Sequence, residues 1–501
     1  MLKRNLIANY LGQGWSALMG LAFIPIYIKY LGIEAYGLIG LFTVLQAWLS
    51  LLDMGMTPTL NREMARFTAG AHSATFIRDL LRSIEIIAIG TALLGGLGIW
   101  AASGWLASDW LRAERLTVEV VAQAFSIMGA VTALRFVEGI YRSSIIGLQR
   151  QVLFNVLNSV LATLRSVGAV GILNWISPSI EAFFLWQGLI SLIALVVFAR
   201  VTYHNLPIAE RRGRFSMSAL RGIGRFAGGM MGISFLTVML TQVDKILLSK
   251  LLNLSEYGYY TLATVVAGTL YMLTGPITQT WFPRLSQLCV EHNEPELIRK
   301  YHQGAQLVSV FMGSAAFIMM AYSPILLELW THDAELAQRS AQLLTLLALG
   351  ALLNGLMWIP YQSQLAHGWT RLAIWQNVAA VIFIIPAILY ITPRYGTEGA
   401  AWIWVVLNTG NLFVGIQIMH RKILINEKWR WYSKDVFQPL LAAGIVASFT
   451  AWIMPHTSTV PCKLLFLILA SFLTLLAAAL AAPTLSTELY KLGKWIRRSE
   501  T

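Results

Sequence analysis

The chain has 501 residues, of which 57% are hydrophobic and 12% charged, with a formal net charge of +13 and a mean hydropathy of +0.63. A soluble chain carries about 25% charged residues, so this composition excludes the row of soluble domains that length alone would suggest. The excess of positive charge lies in short loops between apolar runs, where the positive-inside rule accounts for it without a nucleic-acid partner.

Apolar runs of about twenty residues, the length that spans the hydrocarbon core as a helix, repeat from end to end. They predict about fourteen transmembrane helices, centred in 6–29, 37–58, 83–106, 117–141, 152–173, 181–200, 226–249, 257–282, 305–329, 341–360, 370–391, 399–420, 437–454 and 464–485. The start, Met1-Leu2-Lys3-Arg4, resembles a signal peptide, but the apolar run continues to Tyr30 and is interrupted by Asn5, Asn9 and Gln13, so a retained first helix is expected. With the N-terminus inside, 27 of the 37 Lys and Arg residues fall in cytoplasmic segments, and both termini are predicted to be cytoplasmic. Cys289 and Cys462 then lie on opposite sides and are not expected to pair. No Cys/His cluster has metal-ligand spacing, so neither a metal nor a cofactor is predicted.

The longest interhelical loop, 203–225, is basic and polar and marks a boundary between halves. A weak internal repeat crosses it. Tyr30-Leu31-Gly32-Ile33-Glu34-Ala35-Tyr36-Gly37 in the first half corresponds to Leu251-Leu252-Asn253-Leu254-Ser255-Glu256-Tyr257-Gly258 in the second. In both, Tyr-Gly opens a helix after an extracytoplasmic turn. Six spans separate the copies, an even number, so the halves are parallel repeats about an axis along the membrane normal. The expected organisation is a six-helix bundle in 1–202, a cytoplasmic linker in 203–225, a second six-helix bundle in 226–423, and two additional helices with a basic tail in 424–501.

Ionisable groups inside the hydrocarbon are costly and usually face a cavity or a partner. Arg135, Glu138 and Arg142 lie three and four residues apart, on one face of the span 117–141. Asn155, Asn158 and Arg165 lie on one stripe of the next span, with Arg165 near mid-membrane. Together they suggest a cationic cavity for an anionic group such as a phosphate, which the planar guanidinium binds through paired hydrogen bonds. The alternative for Arg135 and Glu138 is a salt bridge that only packs helices. Asp244 is a candidate cation or proton site; equally, it is an interfacial charge. Asp53 shares a face with Gln46; a helix-end carboxylate paired with Arg62 or Arg66 is the plainer reading.

The chain resembles the polysaccharide-transport branch of the multidrug/oligosaccharidyl-lipid/polysaccharide exporter superfamily, the flippases of lipid-linked O-antigen and exopolysaccharide repeat units. The resemblance rests on Asn5 followed by Pro25, Leu31 to Gly37, Leu52-Asp53-Met54-Gly55, Asn61-Arg62-Glu63, Gln242-Val243-Asp244-Lys245 followed by Tyr257-Gly258, and Gly396-Thr397-Glu398-Gly399-Ala400-Ala401. It implies two six-helix bundles around a cavity, and transfer of an undecaprenyl-diphosphate-linked oligosaccharide across the bacterial cytoplasmic membrane by alternating access, coupled to an ion gradient. Polysaccharide polymerase or assembly proteins are possible partners under that resemblance. No site residue is carried over from it. The rival readings are a lipid II flippase, whose cargo also carries a diphosphate, and a multidrug antiporter, which the two membrane-embedded Arg residues disfavour. A membrane polymerase or glycosyltransferase is disfavoured because every predicted extracytoplasmic loop is short and none contains a paired-carboxylate motif.

Overall fold

A computed structural model describes residues 2–206, 211–454 and 459–487. The predicted basic tail, with Lys491, Lys494, Arg497 and Arg498, lies outside the described residues, as do the side chains of Lys3, Arg4, Asn5 and Arg225. The described residues are predominantly helical and form no strands, as expected of an all-α polytopic membrane protein. It divides into two compact units, Met1–Gly258 and Tyr259–Thr501.

The first unit contains α1 (Leu2–Ala22), α2 (Ile24–Leu49), α3 (Met56–Thr68), α4 (Ala74–Trp105), α5 (Val118–Gly147), α6 (Gln151–Trp175), α7 (Ile180–Asn205) and α8 (Met217–Leu251). Hydroxyl side chains start four of them. Ser73, Thr117, Ser179 and Ser216 each accept the N–H three residues on, so a first-turn donor is satisfied. The helix predicted over 37–58 ends early. Met54 and Gly55 both adopt left-handed backbone (φ 49° and 72°), and the chain restarts as the short amphipathic α3. Gly55 is required there, because a Cβ would stand 2.4 Å from the Ala227 carbonyl oxygen.

The second unit takes in the rest of α9 (Leu254–Gly268), which begins in the first, and then α10 (Leu270–Val290), α11 (Glu294–Ala321), α12 (Ser323–Thr331), α13 (Ala334–Leu356), α14 (Trp358–Ala366), α15 (Arg371–Gly410), α16 (Ile416–Met419), α17 (Lys428–Arg430), α18 (Gln438–Trp452) and α19 (Val460–Ala481). A core cluster packs α10, α11, α13 and the segment 412–436 around buried Tyr301 and Trp431.

Among the described residues twelve helices are long and apolar enough to cross a membrane. Two segments separate this number from the predicted fourteen. α1, helical over 21 residues but interrupted by Asn5, Asn9 and Gln13, is not one of the twelve. The spans predicted at 370–391 and 399–420 form one helical run, Arg371–Met419, broken at Gly396 (φ 57°). Gly32 (φ 82°) breaks α2 in the same way, and each of these glycines is followed two residues later by a glutamate, Glu34 or Glu398. Buried Glu34 accepts the backbone N–H groups of Glu114 and Arg115 at 2.6 and 2.8 Å, fastening the turn before α5 to α2.

The two repeat copies meet within the first unit. A Cβ on Gly37 would lie 2.7 Å from the Leu254 carbonyl oxygen, and one on Gly258 would lie 2.4 Å from the Ile33 carbonyl oxygen. Both obstacles are backbone and cannot rotate away. Gly258→Ala is therefore expected to destabilise by about 1–3 kcal/mol, the usual cost of overpacking. The check is thermal unfolding of purified protein, with Gly14→Ala, which has open space, as control.

The segment 211–216 lies along α4. Arg211 grips Asp79 with two guanidinium nitrogens at 2.9 and 2.6 Å, the Arg214 N–H donates to Asp79 at 2.8 Å, and the Ser216 N–H donates to Ser83 Oγ at 2.8 Å. The carboxylate of Asp79 holds the Arg211 guanidinium above its ordinary range. Asp79→Ala removes three of these four bonds, and tryptic cleavage after Arg211, Arg212 or Arg214 is expected to accelerate several-fold. Unchanged cleavage would show that the bonds to Asp79 are not what holds the segment.

Candidate functional site

Polar side chains from four helices of the first unit, α2, α3, α5 and α6, converge on a cavity of about 530 Å³, lined by Gln46, Asn61, Arg135, Glu138, Arg142 and Arg165 among others. A second cavity of about 360 Å³ shares Gln46, Thr57 and Arg135 with it and adds Asp53. By contrast, a cleft of about 1020 Å³ in the second unit is lined chiefly by apolar side chains such as Phe317, Phe413 and Leu440.

The spacing of Arg135, Glu138 and Arg142 puts all three on one face of α5. They do not pair as the simplest reading of the sequence suggests. Arg135 does not bond Glu138. Its Nε donates to Ser191 Oγ at 3.1 Å, and its two terminal nitrogens donate to Gln46 Oε1 at 3.0 Å and Gln187 Oε1 at 2.8 Å. Its guanidinium also lies 4.9 Å from the ring centroid of Phe42. Every one of these partners is neutral.

Glu138 serves the other two cations. Its side chain is 2% exposed; one oxygen lies 3.4 Å from Arg142 and the other 3.1 Å from Arg165. Arg165 thus finds on α5 the acidic partner that its own helix lacks, while its Nε is buried without a hydrogen-bond partner. Arg142 also donates to Asn158 Oδ1 at 3.0 Å and lies over the rings of Phe154 and Phe198. The cavity therefore brings three guanidiniums against one carboxylate. Counting Asp53 from the adjoining cavity, the balance is still one positive charge.

Asn158 is bound into this network, donating to Ser16 Oγ at 2.9 Å. Asn155 lies apart from it, buried against α1, where its amide donates to Asn9 Oδ1 at 2.6 Å and to the Gln151 carbonyl at 2.8 Å. Asp53 does not pair with Arg62 or Arg66. It accepts the N–H and hydroxyl of Thr57 at 3.0 and 2.6 Å, holding the first turn of α3, while Arg62 and Arg66 turn to buried Glu63. The reason is the left-handed break at Met54 and Gly55, which separates Asp53 from the helix that carries those arginines. Asp244 lies on α8 with Oδ1 buried and unpartnered, and it lines neither of the two cavities. Gln187 and Ser191 are the members that sequence reading missed. Their signal is an i, i+4 polar pair inside an otherwise apolar run.

Residues 2–289 match the family described as "Polysaccharide biosynthesis protein". A Shigella flexneri protein named as an O-antigen transporter is 19% identical over 406 residues, covering 80% of this chain and 93% of the relative. Among solved structures, the lipid II flippase MurJ in an inward closed conformation superposes with a TM-score of 0.66 at 11% identity, covering 97% of this chain and 98% of that one. A multidrug resistance MATE family transporter in an inward-facing conformation gives a TM-score of 0.61 at 15% identity, covering 81% and 95%. At these identities the structural likeness speaks for the fold.

Proposed function

The chain belongs to the polysaccharide biosynthesis protein family and is a multi-pass membrane transporter or flippase, and from that premise we propose that it moves an undecaprenyl-diphosphate-linked oligosaccharide across the bacterial cytoplasmic membrane. The cargo is an O-antigen or exopolysaccharide repeat unit, and the transfer proceeds by alternating access coupled to an ion gradient. The observation that carries this reading is the excess of guanidinium over carboxylate at the first unit's cavity. An uncompensated cationic cavity suits a diphosphate and opposes a cationic drug.

In this reading Arg135 is the principal contact for the anionic headgroup. Arg165 contributes through the charge that Glu138 leaves unbalanced, and Asn158 keeps Arg142 in place. Asn155 has a structural part, joining α1 to α6. Asp53 and Asp244 are the candidates for ion coupling: Asp53 because it lines a cavity beside Arg135, and Asp244 because it is a buried carboxylate with an unpartnered oxygen.

The test is a strain lacking the protein, in which surface glycan and its lipid-linked precursor are followed together. The expected result is loss of surface glycan with single lipid-linked repeat units accumulating on the cytoplasmic face. Intact glycan with greater sensitivity to cationic drugs would replace this reading with a multidrug antiporter. Arrested peptidoglycan synthesis with surface glycan otherwise supplied would replace it with a lipid II flippase.

A further inference from the structure

The second unit holds a buried titratable cluster far in sequence from the cavity residues. His302 on α11 has a side chain only 1% exposed, and both of its ring nitrogens face carboxylates. Nδ1 meets Asp435 Oδ2, and Nε2 meets Glu427 Oε2 at 2.8 Å. Asp435 is fully buried, and its second oxygen accepts from Gln306 Nε2 at 2.7 Å. Gln306 Oε1 in turn accepts the Thr484 N–H at 2.9 Å, so the network reaches the chain beyond α19. The other charged and titratable groups around His302 are Arg430, 3.6 Å from Glu427, and the Tyr301–His420 pair, joined at 3.3 Å. Lys428 is near His420 but is bound to Gln417.

Proton counting makes this cluster informative. A neutral imidazole has one ring N–H, and an ionised carboxylate has no proton to donate. Two contacts between ring nitrogens and carboxylate oxygens need two protons. The arrangement is therefore complete only when the three groups together carry one proton more than a neutral histidine with two carboxylates. With that proton the trio has a charge of −1, which Arg430 offsets. Without it, two negative groups share a buried site, and one nitrogen lone pair points at a carboxylate oxygen, an arrangement that low dielectric penalises heavily.

We propose that His302, Asp435 and Glu427 form a proton-binding site whose occupancy clamps α11 to the segment 427–435 and, through Gln306 and Thr484, to the end of α19. Glu427, whose side chain is 20% exposed, is the point at which the proton enters and leaves. Release of the proton breaks one arm of the clamp, so the site converts local proton activity into the docking of the last helices within this unit. Its part in driving transport rests on the flippase reading above; its existence as a proton site does not.

The experiment uses the full-length protein in lipid nanodiscs with ¹⁵N-labelled histidine, and the His302 signal is identified by its absence in His302→Gln. A ring protonated on both nitrogens at neutral pH supports the site. So does a ring protonated on one nitrogen together with a carboxylic-acid infrared band that Asp435→Asn or Glu427→Gln removes. A singly protonated ring with both carboxylates ionised overturns it. Glu427→Gln is the milder variant, because its position is partly exposed, and it is expected to leave the ring with one N–H, since a carboxamide can itself donate to Nε2. The coupling role is read separately, in proteoliposomes bearing the lipid-linked oligosaccharide under an imposed pH gradient. Flipping by Glu427→Gln that no longer responds to the gradient supports coupling at this site. An unchanged response removes coupling from the site while leaving the proton assignment standing. No flipping even by the unaltered protein would count against the transport reading instead.

Discussion

Arg135→Ala is expected to abolish surface polysaccharide while the protein still inserts at its normal level. The two halves of that expectation have separate causes. Arg135 is held by Gln46, Gln187 and Ser191, all neutral, so its removal strands amides and a hydroxyl but no buried ion. Unsatisfied neutral groups cost about 1–3 kcal/mol; Gln46 borders both cavities, while Gln187 and Ser191 are buried. The functional cost falls on cargo binding. A charge-assisted hydrogen bond to a phosphate is worth about 1.5–3 kcal/mol, which is roughly ten- to a hundredfold in occupancy of the cargo. Arg135→Lys should fall between, because an ammonium keeps the positive field but cannot donate along the three directions that the guanidinium uses. Surface glycan measured against the amount of membrane-inserted protein decides the matter. Normal glycan in Arg135→Ala would move the headgroup contact elsewhere.

The membrane architecture was legible because it is written in one dimension: run length and loop charge need no knowledge of tertiary contacts. The faces of α5 and α6 were legible for a related reason, since helical spacing fixes which residues share a side. What spacing cannot give is the partner across a helix interface. Arg165 finds its carboxylate on α5, 27 residues away, and Arg135 finds its acceptors on α2 and α7, up to 89 residues away. Of the two readings of Asp53, the pairing with Arg62 or Arg66 fails because it continues the helix past Asp53 and ignores the turn at Met54 and Gly55, where the chain changes direction. The cluster at His302 was invisible for a stronger reason. Its acidic partners lie 125 and 133 residues away, and His302 itself falls just outside the apolar run predicted to start at 305, where a polar residue invites no question.

Glu138→Leu is expected to have the opposite profile from Arg135→Ala: a loss of folded protein rather than of transport alone. Glu138 is the carboxylate for both Arg142 and Arg165. Removing one partner of a buried ion pair costs about 3–5 kcal/mol, because the remaining charge stays buried without compensation. The two arginines do not share that penalty equally. Arg142 keeps Asn158 and the faces of Phe154 and Phe198, whereas Glu138 is the only side chain among the described residues that binds Arg165. Most of the loss should therefore be recovered by a second change, Arg165→Leu, which removes the stranded cation along with its partner. The double variant should be markedly more stable than the sum of the single changes, as expected for residues in direct contact. Thermal unfolding of the four proteins, in detergent at one pH and salt concentration, gives the coupling energy. A stable Glu138→Leu single variant would mean that water already reaches and solvates the arginines. Transport separates the remaining possibilities. If the double variant is stable and still moves cargo, Arg165 serves packing alone and Arg135 holds the anion without it. If it is stable and inactive, the excess positive charge at this cavity is the cargo site, and Glu138 is the group that makes so much buried charge tolerable.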